Sequence, residues 1–145
     1  MTISENCLTE EVPKPLTQIV NPTKLYDPAP YGYSHVVIAN KVAYIAGQGG
    51  EDSEGKLEND FAKQVRQAYK NLFTALEAIN TSPNNVSKLT TYVVNYDQSM
   101  LETMTKELVS AFGEHLPAQT LVPVPRLAID GMLFEVDAIA IMEKD

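Results

Sequence analysis

The sequence has one cysteine, two histidines and no tryptophan among its 145 residues. A single cysteine, Cys7, cannot form a disulfide within one chain. Because His35 and His115 are isolated in the sequence, a site built from His and Cys ligands within one chain is not expected either. We therefore predict that the protein holds no metal ion.

Long apolar runs and clusters of basic residues are also absent. No apolar run approaches the roughly 20 residues that cross a bilayer, and the N-terminal residues lack the basic and apolar regions of a signal peptide. The formal net charge of -8 would repel nucleic-acid phosphates and anionic membrane surfaces. We expect a cytoplasmic protein that has neither a nucleic acid nor a membrane as its partner.

Two sequence motifs of enzyme active sites are missing as well. The nucleophile motif Gly-x-Ser-x-Gly does not occur. The loop GQGGEDSEGKLEND, residues 47–60, is rich in glycine and carboxylates but has no Gly-Lys-Ser/Thr ending, so it does not fit a phosphate-binding loop. Its spacing does not fit a calcium loop. We interpret this acidic loop as a solvated turn.

What is present favours one compact domain. Apolar residues make up 44% of the chain, enough for a core of its own. The polar, proline-containing residues 1–15 are typical of a flexible N-terminal tail. We assign residues 16–145 to a single domain, because no internal repeat or linker divides them.

The hydrophobic pattern predicts strands and helices in the order β, ββ, α, β, α, ββ. A stripe of apolar residues at steps of three and four predicts a helix of about five turns that follows Asn59 or Asp60. A second helix is predicted over residues 99–112. The strands are predicted at 16–20, 35–38, 42–45, 88–96, in the proline-containing stretch 115–131, and at 132–142. We therefore expect an α+β two-layer sandwich, a mixed β-sheet with two helices on one face.

Two helices cannot cover both faces of such a sheet. The pair Val93–Val94 and the run 138–142 place apolar residues on both faces of their strands. We therefore expect partner subunits to bury the second face, in a homo-oligomer.

A few polar residues could carry chemistry. Glu135 and Asp137 are two residues apart in the last strand, so their side chains share a face. Paired carboxylates can divide the acid and base roles of catalysis, or one or both can point to solvent. Tyr33 could donate a hydrogen bond to a ligand, or it could pack beneath its loop.

Three segments together resemble the RidA family, also called YjgF. They are YGYSHVVIANKVAYIAGQGG, QVRQAYKNLFTALEAINTSPNNVSKLTTYVVNYDQ and PAQTLVPVPRLAIDGMLFEVDAIAI, within residues 30–142. The resemblance implies a chorismate-mutase-like fold in a homotrimer, whose sheets form a central barrel with clefts between the subunits. It also implies that a small-molecule ligand binds in each inter-subunit cleft. The implied reaction is the hydrolysis of reactive enamines or imines to keto acids and ammonia, without a cofactor. The family's older label of translation inhibitor or ribonuclease does not suit a chain with a net charge of -8.

The resemblance also assigns roles to individual residues. Tyr33 and Glu135 match the family's catalytic tyrosine and its water-activating glutamate. Gly47 and Gln48 match backbone positions that bind substrate, and Thr105 matches a position that is Asn in active deaminases.

The clearest departure from the family is Gln119, which stands where active deaminases have an arginine that binds the substrate carboxylate. A neutral amide has neither the permanent charge of a guanidinium nor its bidentate hydrogen bonding to a carboxylate. Arg126 is seven residues away and of opposite strand parity, so it is not expected to substitute. Ala46 also lacks the serine hydroxyl of many active members.

Two hypotheses follow from this departure. The first is a RidA-like hydrolase that deaminates an enamine or imine other than the usual 2-iminobutanoate-type acid. The second is a non-catalytic, small-molecule-binding or regulatory homotrimer.

Overall fold

The computed structural model describes residues 11–143. Cys7 and most of the predicted N-terminal tail lie outside the described residues, and so do the last two residues of the predicted domain. The helices and strands are β1 (Gln18–Val20), β2 (Val36–Ala39), β3 (Val42–Gly49), α1 (Phe61–Ala78), β4 (Val86–Val94), α2 (Ser99–Phe112), β5 (Ala118–Val124) and β6 (Phe134–Ile141). This order of elements and the α+β class agree with the prediction.

The strands form one mixed sheet in the order β1-β2-β3-β6-β4-β5. Only β4 and β5 pair in parallel, and the other neighbours are antiparallel. Parallel strands need a long crossover connection, which α2 supplies between β4 and β5. The last strand, β6, lies between β3 and β4 and therefore carries its side chains at the middle of the sheet.

The core lies between the helices and one face of the sheet. Helix α1 begins after Asp60, whose carboxylate accepts a hydrogen bond of 3.1 Å from the Lys63 backbone N–H. The helix buries a stripe that includes Leu72, which is fully buried. On β6 every second residue, including Phe134 and Val136, is buried against this layer.

No helix within residues 11–143 covers the opposite face of the sheet. Three large apolar side chains of the strands remain about half exposed in the single chain: Ile19 at 60%, Tyr44 at 50% and Ile141 at 48%. Monomeric proteins rarely leave a broad apolar face in water. We refer below to this side as the open face of the sheet.

The position of β5 explains why this strand tolerates prolines. It lies at the edge of the sheet and pairs only with β4, and Pro123 takes part in that pairing opposite Val93. Proline cannot donate to a ladder, so it is accepted on an edge strand whose free side it can occupy. Pro117 precedes the strand, and Pro125 follows it.

Candidate functional site

A β-bulge in β3 sets the geometry of the site. Ile45 pairs with Ala138 and Gln48 pairs with Val136, so three steps along β3 match two steps along β6. The extra residue changes which side chains face the helices, and Gln48 is buried there with 3% exposure. Gly47 and Gly49 consequently face the other way, onto the open face.

The carboxyl group of Glu135 lies directly over Gly47. A Cβ atom added to Gly47 would be 1.7 Å from Glu135 Oε1, so only glycine leaves room for this carboxyl group. Burial raises the pKa of Glu135, and the neighbouring Glu51 and Asp137 raise this pKa further. The predicted catalytic glutamate is therefore partly desolvated and favours its protonated form more than an ordinary glutamate does.

Glu51 is a functional candidate that the sequence pattern did not reveal. It belongs to the acidic loop interpreted as a solvated turn, and that interpretation is wrong for this residue, which is only 9% exposed. Its Oε2 atom has no hydrogen-bond partner among the described residues. A Cβ atom added to Gly49 would be 2.5 Å from this oxygen. The rest of the loop agrees better with the prediction, because Asp52 and Glu54 are exposed.

Tyr33 completes the same cluster. Its hydroxyl is hydrogen-bonded to that of Tyr26. Burial raises the pKa of Tyr33, and the negative charges of Glu51 and Glu135 raise this pKa further. The structure therefore places Glu135 and Glu51 against Gly47 and Gly49, with the Tyr33 phenol within the electrostatic reach of both carboxylates.

The side chain of Gln48 is buried and forms hydrogen bonds within the fold. Its amide nitrogen donates to the Ala46 carbonyl at 3.0 Å and contacts His35 Nδ1 at 3.2 Å. On the other side of the ring, His35 Nε2 lies 2.8 Å from the Tyr26 carbonyl, which can only accept. The neutral tautomer with its proton on Nε2 satisfies both contacts. Burial lowers the pKa of His35, which favours this neutral form.

Helix α1 holds the loop that carries Glu51. Asn71 donates hydrogen bonds to the carbonyl oxygens of Gly49 at 2.9 Å and of Glu51 at 2.8 Å. Between these two carbonyls, Gly50 lies against the backbone of Gln64, where a Cβ atom would be 2.7 Å from the Gln64 Cα. These contacts give a physical role to Asn71 within the helical segment QVRQAYKNL that carries the family resemblance.

Two predicted binding residues lie elsewhere in the chain. Gln119 pairs with Leu89, whereas Glu135 pairs with Tyr92, three residues further along β4. Two strand spacings and three residues separate the Cα atoms of Gln119 and Glu135 by about 14 Å. The hydroxyl of Thr105 donates to the Leu101 carbonyl at 2.8 Å on exposed helix surface. One chain alone does not bring Gln119 or Thr105 to the carboxylate cluster.

Arg126 lies beyond the end of β5, so the parity argument does not apply to it. Its guanidinium instead forms a 3.0 Å ion pair with Asp130 on the surface. Over residues 11–143, no three His, Cys, Asp or Glu side chains are grouped as metal ligands. Neither helix in that range has the length and apolar composition to span a membrane.

Comparison with known proteins supplies a family context for this geometry. Residues 26–142 match the family model described as endoribonuclease L-PSP. A RutC family protein from Pyrococcus horikoshii is 37% identical over 119 residues, which cover 80% of this chain and 92% of that protein. A rat protein named 2-iminobutanoate/2-iminopropanoate deaminase is 34% identical over 117 residues, which cover 79% and 83%. The crystal structure of RidA from a Psychrobacter species has a TM-score of 0.75 at 27% identity, covering 86% and 98%.

Proposed function

The chain belongs to the endoribonuclease L-PSP family, the RidA/YjgF family of the sequence resemblance, and we propose that it hydrolyses a reactive enamine or imine to a carbonyl compound and ammonia. The observation that carries this proposal is the partly desolvated carboxyl group of Glu135 over Gly47. Relatives named as 2-iminobutanoate/2-iminopropanoate deaminases support the same class of reaction.

Glu135 can move the protons that the reaction needs. A carboxyl group whose pKa is raised toward the working pH can both give and take a proton. In the proposed reaction Glu135 gives its proton to the imine nitrogen and then takes one from the water that attacks the imine carbon. The resulting carbinolamine loses ammonia after Glu135 protonates the nitrogen again, and the hydroxyl proton returns to Glu135. One water is consumed and one ammonia is released.

Tyr33 would hold the reacting group in this mechanism. Its phenol is close to Glu51 and Glu135, and its raised pKa keeps the O–H available as a donor at neutral pH. We propose that this hydroxyl donates to the substrate or to the oxygen of the carbinolamine. The backbone at Gly47 would form the adjoining wall of the cleft.

We further propose that the protein works as a homotrimer with a cleft between subunits. Gln119 and Thr105 do not reach Glu135 within one chain, and β5 is an edge strand that a neighbouring subunit could meet. The apolar open face, including Tyr44, supplies a surface for the contact. In such an assembly Gln119 of one subunit would approach the cleft of the next.

The usual 2-iminobutanoate-type acids are not the substrates that we propose. Gln119 cannot form the charge-assisted pair that an arginine forms with a substrate carboxylate. Losing such a pair in a desolvated cleft costs about 2–5 kcal/mol. We therefore propose an imine or enamine that is uncharged or bound in another way.

A non-catalytic trimer that binds a small molecule is the second candidate function. The observation that favours it is the joint absence of the arginine at position 119 and of a serine hydroxyl at Ala46. Such a protein would bind ligands in the same cleft without releasing ammonia.

Ammonia release from a panel of imines distinguishes the two functions. Amine and amino-acid oxidases can generate the imines in situ, and wild type is compared with Glu135→Gln. The surface variant Glu114→Gln removes the same charge from an exposed side chain and serves as the control. The enzyme hypothesis expects acceleration by wild type and by the control, and loss of at least 100-fold in Glu135→Gln, the scale of general acid–base catalysis. No acceleration of any imine would favour the binding protein.

A further inference from the structure

We infer that the carboxylate cluster selects a cationic nitrogen group, a protonated imine or primary ammonium on a molecule without a carboxylate, and that Glu51 binds it. The inference deepens the proposed function by naming its substrate class and therefore rests on it. It begins from one unusual feature. A glutamate that is only 9% exposed leaves an oxygen without a hydrogen-bond partner in the described chain.

The unpartnered oxygen of Glu51 lies within the candidate site. Glu51 Oε2 lies against Gly49 and Glu135 Oε1 against Gly47, two positions that share one face of β3. Gly49 is also the direct cross-strand partner of Glu135. The two carboxylates therefore lie over neighbouring positions of β3, and a positive group bound between them would offset both their repulsion and the cost of their desolvation.

The sheet around the cluster has little positive charge to offset these groups. Among the residues of the six strands, the charged ones are Lys88, Glu135 and Asp137. Lys88 pairs with Ile139, four residues along β6 from Glu135, and its ammonium is hydrogen-bonded to Thr120. Asp137 accepts a 3.0 Å hydrogen bond from the Tyr92 hydroxyl. The strand cation therefore lies away from Glu51 and Glu135, and the strands place no positive charge beside these two carboxylates.

The aromatic side chains grouped with Tyr33 favour an organic cation. The ring of Tyr26 is 6.4 Å from that of Tyr33 and 6.1 Å from that of Tyr31. The faces of such rings attract organic ammonium groups. A divalent metal ion fits this site less well, because the described residues contain no group of three or more His, Cys, Asp and Glu ligands.

The neutral side chain at position 119 fits the same preference. An arginine at that position would add a fixed positive charge, which attracts a carboxylate and opposes a cation. Because Gln119 is neutral, the net charge of the proposed cleft is negative. The iminium that forms when Glu135 gives its proton to an imine nitrogen is also a cation, so Glu51 would stabilise that intermediate.

An NMR titration of the ¹⁵N-labelled full chain tests the inference. The probes are n-butylammonium, butanoate and neutral 1-butanol at matched ionic strength, and the amide signals of residues 47–51 are followed. We expect n-butylammonium to shift these signals, with an affinity at least tenfold above that of butanoate or 1-butanol. A tenfold change in the dissociation constant corresponds to about 1.4 kcal/mol.

Matched variants assign the effect to Glu51. Glu51→Gln should weaken n-butylammonium binding about tenfold or more, and Glu54→Gln should change it less than twofold, although both remove one negative charge from the same loop. Equal affinity for butanoate or 1-butanol, no shifts with n-butylammonium, or unchanged affinity in Glu51→Gln would each overturn the inference. The wild-type comparison of the three probes stands even if a variant fails to fold.

Failure of the inference and failure of the proposed function give different results. Binding of n-butylammonium through Glu51, without ammonia release from any imine, would support the cation site and refute the hydrolase. Hydrolysis of 2-iminobutanoate at least as fast as of carboxylate-free imines, without n-butylammonium binding, would support the hydrolase and refute the cation site.

Discussion

At the scale of single residues, the site depends on glycines that make room for carboxyl groups. The carboxyl group of Glu135 occupies the space that a side chain at position 47 would take, and Glu51 does the same at Gly49. Gly47 is not among the glycines with a positive φ, so its backbone conformation is open to alanine. Substitution at this position therefore tests the space and not the backbone.

Gly47→Ala should displace Glu135 and leave the fold in place. The added Cβ would lie 1.7 Å from Oε1, the far end of a side chain that can rotate away. We expect ammonia release to fall at least tenfold in a steady-state assay, with the free energy of unfolding changed by about 1 kcal/mol or less. Gly50→Ala is the contrasting variant, because its Cβ would meet the backbone of Gln64. It should lower the stability by about 1–3 kcal/mol. Full activity of Gly47→Ala would contradict the placement of Glu135.

Replacing Glu135 by glutamine should change how stability depends on pH. The raised pKa means that the folded chain binds this proton more tightly than the unfolded chain does. The corresponding stability is present below the ordinary glutamate pKa and is lost as the pH rises through the folded value. Glutamine is neutral at every pH, so Glu135→Gln should raise the melting temperature relative to wild type more at pH 8 than at pH 4. Thermal melts of wild type and Glu135→Gln at both pH values measure this effect, and Glu54→Gln serves as the control. An equal difference in melting temperature at pH 4 and pH 8 would contradict the prediction.

Residue patterns reveal only part of this site. Spacing places Glu135 and Asp137 on one face of a strand, and the family resemblance singles out Tyr33 and Gly47. Glu51 was not predicted to be buried because β3 was expected to end at Ile45, whereas the strand continues to Gly49 and Asn71 of α1 holds the Glu51 backbone. Hydrophobic alternation does not report such long-range contacts, so an acidic loop residue could not be recognised as buried.

At the scale of elements, α1 positions the loops through polar side chains on its buried face. Gln64 is fully buried, and its amide donates to the carbonyls of Glu58 at 2.7 Å and Gly131 at 2.9 Å. Its oxygen accepts a 2.8 Å hydrogen bond from the Leu133 backbone N–H. The helix thereby fixes the acidic loop and the entry to β6 at the same point.

Gln64→Leu should be strongly destabilising. Leucine matches the apolar packing of the helix but leaves buried backbone groups of Glu58, Gly131 and Leu133 without their partner, at about 1–3 kcal/mol for each group that stays unsatisfied. Urea unfolding should show a loss of at least 3 kcal/mol. Gln98→Leu is the control, because Gln98 is exposed and forms no cap hydrogen bond. Similar stability of the two variants would contradict this role.

The elements themselves follow closely from the hydrophobic pattern. Helix α2 has the predicted bounds, and Asp60 caps α1 as one of the two residues proposed. The exception that matters is β3, which was expected to end at Ile45 and continues to Gly49. Glycines have low strand propensity, and here tertiary contacts with α1 and β6 override that propensity.

At the scale of the whole molecule, the open face of the sheet is the surface that the proposed assembly would cover. Its half-exposed residues Ile19, Tyr44 and Ile141 come from three different strands. The mixed sheet with two helices was predictable from the sequence, whereas the strand order was not. That order depends on β6 entering between β3 and β4, a long-range pairing on which local patterns carry no information.

Tyr44→Lys should disrupt the proposed homotrimer. An ammonium group placed on the open face would be desolvated on assembly, which costs several kcal/mol. We expect sedimentation velocity to show a trimer for wild type and mainly monomer for the variant at micromolar concentration. Ala78→Lys places the same charge on an exposed position of α1, on the other side of the sheet from the open face, and should remain trimeric. A monomeric wild type would contradict the assembly.

The central claim is that this chain uses Glu135 to hydrolyse imines that carry no carboxylate. Its most direct test is the rate of ammonia release from a carboxylate-free imine and from 2-iminobutanoate, measured with the same wild-type preparation. We predict clear acceleration for the carboxylate-free imine, loss of that acceleration in Glu135→Gln, and little acceleration for 2-iminobutanoate unless Gln119→Arg is introduced. Acceleration of 2-iminobutanoate by wild type that equals the carboxylate-free rate, or that survives in Glu135→Gln, would contradict the account.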